Sequence, residues 1–458
     1  MLNETIVALS TPSGNGAIAV IRLSGENALA VADAIFKGKK LANQEGHTAH
    51  FGRIMDGSVV VDEVVATVFK TPRSYTREDV VEISCHNSTY IIEKILKLCL
   101  SEGARLAKAG EFTLRAFLNG GMDLSQAEAV ADLIASDSSA SHELAMKQMR
   151  GKFSDEIKAL RKELIHFASL IELELDFSEE DVEFADRQDL KDLVNKLQIP
   201  ITHLMESFAL GNVLKNGVPV VISGKPNVGK STLLNLLLND ERAIVSDIPG
   251  TTRDTIEDEI SIKGITFRFI DTAGIRETKD KIEAIGVERT FEQIRKSAII
   301  LLVFDPTETD PAELKKNRQT LLELVDGEKT HLITIANKAD KPEVREALKA
   351  FDLKDQVIPI SAKSSENIPM LVNALLDAVS HDKVNRESTV VSNARHFHAL
   401  EETHVSLNDV LTGLDQGIEG DFLAVDIKRA LHYLGEITGE ITNEDLLDNI
   451  FSKFCIGK

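Results

Sequence analysis

Cysteine is scarce in this 458-residue chain, which carries only Cys85, Cys99 and Cys455. Three scattered thiols cannot build a disulfide framework or a four-ligand metal site, so Cys85 and Cys99 read as core thiols. The terminal Cys455-Ile456-Gly457-Lys458 has the length of a prenylation box, but Gly457 is not aliphatic and Lys458 is a poor final residue, which argues against lipidation. Long apolar runs are missing as well. No window approaches the roughly eighteen apolar residues of a membrane span, and the opening MLNETIVALSTPSG lacks the basic start and apolar core of a secretory signal. The expectation is a cytoplasmic protein without membrane contact.

Basic charge is also in short supply. Lys and Arg total 52 against 73 Asp and Glu, a net charge of -21, which repels polyanions unless bases cluster locally. Contact with RNA must then be patchy or assisted by a partner. Repeats, low-complexity tracts and long Gly/Ser linkers are absent. With 43% hydrophobic and 27% charged residues, the chain has enough apolar material to fold throughout, and its length exceeds one ordinary core.

The patterning predicts a multidomain α/β plus α protein. In the first hundred residues, TIVAL, AIAVIRL, VVVDEVVATVF and VVEIS read as strands, while ALAVADAIF and YIIEKILKLCL read as helices. From Asp123 to about Leu214 strand signals vanish. Phe153, Ile157, Leu160, Leu164, Phe167 and Ile171 form a helical stripe, which under three heptads suits an intramolecular seam better than a partner zipper. Helical patterns return after His381 and end in NEDLLDNIFSKF, with Thr442 and Asp445 as the expected cap. The economical arrangement is an α/β domain over 1–119, a helical domain from 120–215 and 380–458, and an α/β domain inserted at 216–379. The acidic stretch Asp176 to Asp186 reads as a solvated helix end.

The inserted segment carries the chemistry. VPVVISG followed by STLLNLLLND is a buried strand running into a helix, and the turn between them reads Gly224-Lys225-Pro226-Asn227-Val228-Gly229-Lys230-Ser231, with Thr232 next. In this G-x-x-x-x-G-K-S loop the backbone amides wrap phosphates at a helix N-terminus. Lys230 reaches the β and γ oxygens, and the Ser231 hydroxyl can ligate Mg2+. FRFI leads to Asp271-Thr272-Ala273-Gly274, which offers a carboxylate for Mg2+ and a glycine amide for the γ-phosphate. Ser246-Asp247-Ile248-Pro249-Gly250-Thr251-Thr252 is a hydroxyl-rich segment, with Thr252 as the second Mg2+ ligand. Two strands end in Asn337-Lys338-Ala339-Asp340 and Ser361-Ala362-Lys363, a pair that reads a purine. The Asp340 carboxylate accepts from N1–H and the 2-amino group of guanine, whereas adenine would leave it unpaired. GTP should therefore bind and ATP should not. A hairpin over EISI-Lys263-Gly264-ITFRFI adds an antiparallel edge, so the expected sheet is doubly wound, mostly parallel and six-stranded. Ile275 stands where many small GTPases carry a water-orienting glutamine; of the carboxylates Asp280, Glu283 and Glu288 in the stretch that follows, Glu283 is the candidate to position water. Glu283 and Lys230 are the candidate catalytic residues.

From end to end the chain resembles the bacterial tRNA-modification GTPase family called MnmE or TrmE. The resemblance rests on GKPNVGKS, SDIPGTTRD, DTAGIRE with the later IGVER, NKAD, TPSGNGAIAVIRLSG, AGEFTLRAFLNG and the terminal FCIGK. It implies an N-terminal domain that forms a homodimer and binds 5-formyltetrahydrofolate or a related tetrahydrofolate, and a GTPase stimulated by K+. It also implies a hetero-oligomer with an FAD-containing partner, MnmG or GidA, that modifies carbon 5 of the wobble uridine of certain tRNAs. K+ would fall to Asn227 with backbone groups at Ser246, Ile248 and Thr251, and Glu283 matches the family's water-positioning glutamate. Arg22, Glu82 and Lys458 match folate positions. Gly121 stands where the family has lysine, Arg77 where it has glycine, and His86-Asn87-Ser88 replaces His-Gly-Gly. Cys455 is a candidate reactive thiol by resemblance, although on its own it reads as a buried structural cysteine. The rival reading is a ribosome-assembly GTPase switch without one-carbon chemistry.

Overall fold

The structure is a computed structural model that describes residues 4–12, 14, 16–176, 187–239, 258–270, 294–295, 297–325, 330–351, 357–380, 389–418 and 420–457. It divides into two compact units, one of residues 1–131, 147–198 and 402–458, the other of 132–146 and 199–401.

The first unit opens with β1 (Ile6–Leu9), β2 (Ile18–Ser24), β3 (Phe36–Lys37), β4 (Thr48–Asp56), β5 (Val59–Phe69), β6 (Val80–His86) and β7 (Arg105–Leu106). They form one sheet in the order β3-β4-β5-β6-β2-β1-β7, antiparallel except where β7 runs parallel to β1. Alternation places Val64, Ala66 and Val68 of β5 inside, with Glu63 and Val65 outside. The helices Ala28–Ile35 and Thr89–Ser101 pack Val31, Ile35, Ile95 and Cys99 on the same core as Ile21 and Ile83. The two buried thiols belong to this unit, and burial pushes Cys85 up to about 11 and Cys99 up to about 12.

The helical stripe is an intramolecular seam, as its length predicts. Phe153, Ile157, Leu160, Leu164, Phe167 and Ile171 are all buried along the helix Lys152–Asp176. That helix packs against Gly420–Thr438, whose buried face is Leu423, Ile427, Ala430, Leu434 and Ile437. The last helix, Glu444–Phe451, corrects one expectation. Its cap is Asn443, whose extended backbone lets Oδ1 accept from Leu446 N at 2.7 Å, so the cap sits one residue beyond Thr442. Of the acidic stretch, residues 177–186 lie outside the described residues.

The second unit holds β8 (Val218–Ser223), β9 (Asp258–Ile262), β10 (Ile265–Phe269), β11 (Ile299–Phe304), β12 (His331–Ala336) and β13 (Val357–Pro359). Their order is β13-β12-β11-β8-β10-β9, parallel throughout except for the β9–β10 hairpin. Lys263 at φ 49 and Gly264 at φ 83 form the two-residue turn that the Lys-Gly pair predicts. Strand alternation makes the sheet two-faced. Val220, Ile222, Leu301 and Val303 meet Leu233, Leu237, Leu371 and Leu375 from the helices Lys230–Asn239 and Ile368–Ser380. Val221, Ile300, Leu302 and Phe304 meet Leu314 and Leu321 of the helix Pro311–Glu323 on the other side. Burial on both faces explains why β11 is apolar at every position. No helix among the described residues is long and apolar enough to cross a membrane.

Candidate functional site

At the C-terminal end of β8 the chain bends through Gly224–Gly229 into the helix beginning at Lys230. Two positions admit only glycine. Gly224 has φ +148, and a Cβ there would stand 2.1 Å from the Val303 carbonyl oxygen. Gly229 has φ +98, and its Cβ would stand 2.2 Å from Asn337 Nδ2. The loop is thus drawn against the ends of β11 and β12. Asn227 takes a left-handed φ of 63, and Ser231 and Thr232 occupy the first helical turn, where orphan amides and the helix dipole favour an anion. Lys230 Nζ donates to the carbonyls of Gly224 and Lys225 at 2.7 and 2.8 Å. Burial holds its pKa below the usual lysine value. Among the described residues its partners are these neutral carbonyls, which under-compensate an ammonium ion, and a phosphate oxygen would relieve it.

The two strand-end loops meet this turn through one side chain. Asn337, buried, donates from Nδ2 to the Val228 carbonyl at 2.8 Å and accepts at Oδ1 from Ala362 N at 3.0 Å. Val228 of the phosphate loop is thereby bonded to the asparagine that opens Asn337–Asp340, and that asparagine to the loop Ser361–Lys363. Asp340 is exposed, and its Oδ1 accepts from Ser361 Oγ at 2.6 Å. That hydrogen bond holds the carboxyl below its usual range, so it is ionised at neutral pH with acceptor capacity to spare. Lys363 is exposed beside it in sequence.

Asp305, just past β11, is a residue the motifs did not single out. It is buried, and its Oδ2 pairs with Lys338 Nζ at 2.8 Å. Its Oδ1 accepts from Thr307 N and Oγ1 at 2.9 and 2.7 Å. The visible signal was an aspartate closing an apolar strand ahead of Pro-Thr, a local turn signature. Lys225 of the phosphate loop pairs with Glu313 at 2.5 Å, also without a sequence signal.

The other candidates lie in the first unit. Arg22 and Glu82 face each other across β2 and β6, with Nε to Oε1 at 2.8 Å. The Arg22 guanidinium stands 5.4 Å from the Tyr75 ring and 5.6 Å from the Phe112 ring, so the pair is part-buried rather than on an open strand surface. Burial raises the Tyr75 pKa against a hydrogen bond with Thr113. Gly121 packs instead on the Ala116 carbonyl, and a Cβ there would lie 3.4 Å from Arg77 Nε. Cys455 is exposed, which corrects the reading of a buried thiol. Its neighbours anchor the tail. Ile456 bridges to Ala109, Ser10 Oγ donates to the Gly457 carbonyl, and these contacts leave the thiol outside. Ser246, Asp247, Ile248, Pro249, Gly250, Thr251, Thr252, Asp271, Thr272, Ala273, Gly274, Glu283 and Lys458 lie outside the described residues.

Known proteins match the whole chain. A family model described as the MnmE helical domain matches residues 124–455, and one described as the GTP-binding protein TrmE N-terminus matches residues 5–121. A tRNA modification GTPase MnmE of Cytophaga hutchinsonii is 55% identical over 455 residues, covering 99% of this chain and 98% of that protein. Proteins of the same description from Flavobacterium psychrophilum and Bacteroides thetaiotaomicron are 54% and 49% identical, each covering all of this chain and 99% and 100% of their own lengths. With near-complete mutual coverage at such identity, the chain belongs to the MnmE family of tRNA modification GTPases.

Proposed function

We propose that this chain binds GTP across the ends of β8, β11, β12 and β13 and hydrolyses it to GDP and phosphate in the service of tRNA modification. The observation that carries the reading is the pair of hydrogen bonds made by Asn337, one donated to the Val228 carbonyl in the phosphate loop and one accepted from Ala362 N in the base loop. It fixes the spacing between a triphosphate cradle and a base reader before any ligand arrives. Lys230 and the amides after Gly229 hold the β and γ phosphates. Asp340, with Lys338, Ser361, Ala362 and Lys363, reads guanine. Asp271–Gly274 and Ser246–Thr252 would contribute the remaining triphosphate contacts, and Glu283 would orient the attacking water.

The donor set suits two cations. Ser231 is a hard hydroxyl oxygen at the start of a helix, and with Thr252 it would hold Mg2+. Asn227, with backbone groups at Ser246, Ile248 and Thr251, would hold K+. Both cations supply positive charge against the phosphate oxygens.

In the first unit, Arg22 and Glu82 supply a donor and an acceptor beside the Tyr75 and Phe112 rings, a setting suited to a flat heterocycle with amide and amine edges such as the pterin of tetrahydrofolate. Arg77 stands near the space a residue-121 side chain would take, so it supplies the cation that Gly121 lacks. Lys458 is the third folate position. By resemblance to its family the chain would form a homodimer through the N-terminal domain and work with the FAD-containing MnmG, and the -21 net charge favours that partner taking much of the tRNA grip. The proposed domains are 1–119, 120–215 with 380–458, and 216–379.

The base assignment is tested by Asp340→Asn. An amide presents a donor where the carboxylate presents acceptors, so preference should pass from guanosine to xanthosine triphosphate, with turnover retained on the new substrate. A variant that still prefers GTP removes Asp340 as the base reader.

A further inference from the structure

We propose that Asp305 is a positioning residue for guanine nucleotide, acting through Lys338. The inference rests on the assignment of Asn337–Asp340 as the base-reading loop and adds a part that none of its motifs contains.

The geometry begins with strand register. Phe304 pairs with Ala336, so the residues that follow, Asp305 on one strand and Asn337-Lys338 on its neighbour, leave the sheet side by side. Asn337 N donates to the Phe304 carbonyl at 2.9 Å, which keeps the two strand ends together. Asp305 has almost no freedom of its own. Its side chain is 3% exposed, and Thr307 holds one carboxylate oxygen by its amide and its hydroxyl. The other oxygen takes the Lys338 ammonium at 2.8 Å. Burial pushes the Asp305 carboxyl up, but the bonds from Lys338 and Thr307 outweigh it and hold the group below its usual value.

Lys338 has two alternatives that this pair suppresses. Its backbone sits at φ 66, a left-handed conformation that a lysine leaves readily unless its surroundings hold it. Its long side chain, if released, would be free to swing toward the carboxylate two residues on, Asp340, which reads the base. An ammonium ion parked on Asp340 would compete with the base for that carboxylate. By taking the Lys338 charge on its buried side, Asp305 leaves Asp340 open and the stem of Lys338 already ordered, so that neither cost falls on nucleotide binding. The same segment braces the phosphate loop. The Glu308 carbonyl lies 3.5 Å from Lys225 Nζ, and Glu313 pairs with that lysine.

The test uses the full-length protein and N-methylanthraniloyl GDP as probe. Asp305→Asn keeps the shape and an acceptor for Thr307 but drops the charge. The expected result is a Kd raised about tenfold, carried by faster dissociation, with hydrolysis at saturating GTP within about twofold of the parent. In the Lys338→Met background, which keeps the apolar stem, Asp305→Asn should change the Kd by less than about twofold, since its partner is gone. Unchanged affinity for Asp305→Asn, an equal loss in both backgrounds, or a fall in saturated turnover as large as the loss of affinity would each overturn the proposal. Thermal unfolding run alongside identifies a variant that does not fold, and Thr307→Val, which removes the hydroxyl that holds the Asp305 carboxylate, then decides in its place: a raised Kd through faster probe release is expected, and an unchanged Kd overturns the proposal. The xanthosine switch of Asp340→Asn is read separately, so failure there indicts the base loop rather than Asp305.

Discussion

Gly229 answers to two demands at once, since its backbone must be left-handed and the space where a Cβ would stand is already taken by Asn337 Nδ2, 2.2 Å away. Gly229→Ala should push Asn337 off the Val228 carbonyl and weaken guanine nucleotide binding by at least about tenfold, as measured by titration with labelled GDP. An alanine variant with parent affinity would show that the Asn337 link is dispensable. At this scale the site was partly legible. Asn337, Asp340, Ser361 and Lys230 stand at fixed offsets after apolar strands, so their types and spacing announced them. Asp305 and Glu313 were silent, because what they do depends on which strand end or loop lies beside them. Glu111 was silent for the same reason. It accepts from the two terminal Arg105 nitrogens at 2.8 and 2.5 Å, from Lys108 N at 2.8 Å and from fully buried Arg115 at 3.2 Å. Burial works to raise its pKa, but the Arg105, Lys108 and Arg115 interactions win and leave it below 4.5. A carboxyl with a depressed folded pKa contributes stability that is present above its unfolded value and lost as pH falls through the folded one. Glu111→Gln should therefore cost about 2 kcal/mol at neutral pH, with the gap to the parent closing below about pH 4.5. Urea unfolding across that range checks it, and a gap that stays constant in acid would contradict the ion-pair account.

Elements followed from periodicity wherever one face was strongly apolar. The stripe from Phe153 to Ile171 spells its helix, and β5, β6 and the β9–β10 hairpin spell themselves by alternation and turn residues. β4 is not legible in the sequence, because His50, Gly52 and Arg53 break its pattern, and it is a strand because β5 pairs with it along its whole length. β3 and β7, two residues each, exist only by pairing. The cap of the last helix moved from Thr442 to Asn443 because either residue can cap and only tertiary fit chooses between them. The helix seam carries its own prediction. Phe167 is fully buried on the helix that packs against Gly420–Thr438, so Phe167→Ala should destabilise the unit that contains it by about 3–5 kcal/mol in a denaturant titration. A loss below about 1 kcal/mol would mean that the seam is loosely packed or that the site collapses around the change.

At the scale of the whole molecule, length and composition set the expectation of several domains, and the structure gathers the chain into two compact units. Helical segments 199–216 and 394–401 gather with the six-stranded sheet, a grouping invisible in the sequence because helical periodicity reports which face is buried and not what buries it. The acidic surplus speaks to partners rather than fold, and it directs the search for tRNA contact toward a complex. The proposed function requires that a triphosphate cradle at Gly224–Ser231 and a guanine reader at Asp340 form a single site. Competition for labelled GDP on the full-length protein measures it directly. Unlabelled GTP should displace the label, and ATP should fail to do so even at about a thousandfold excess over the effective GTP concentration. Displacement by the two triphosphates at equal concentrations, or by neither, would contradict the account.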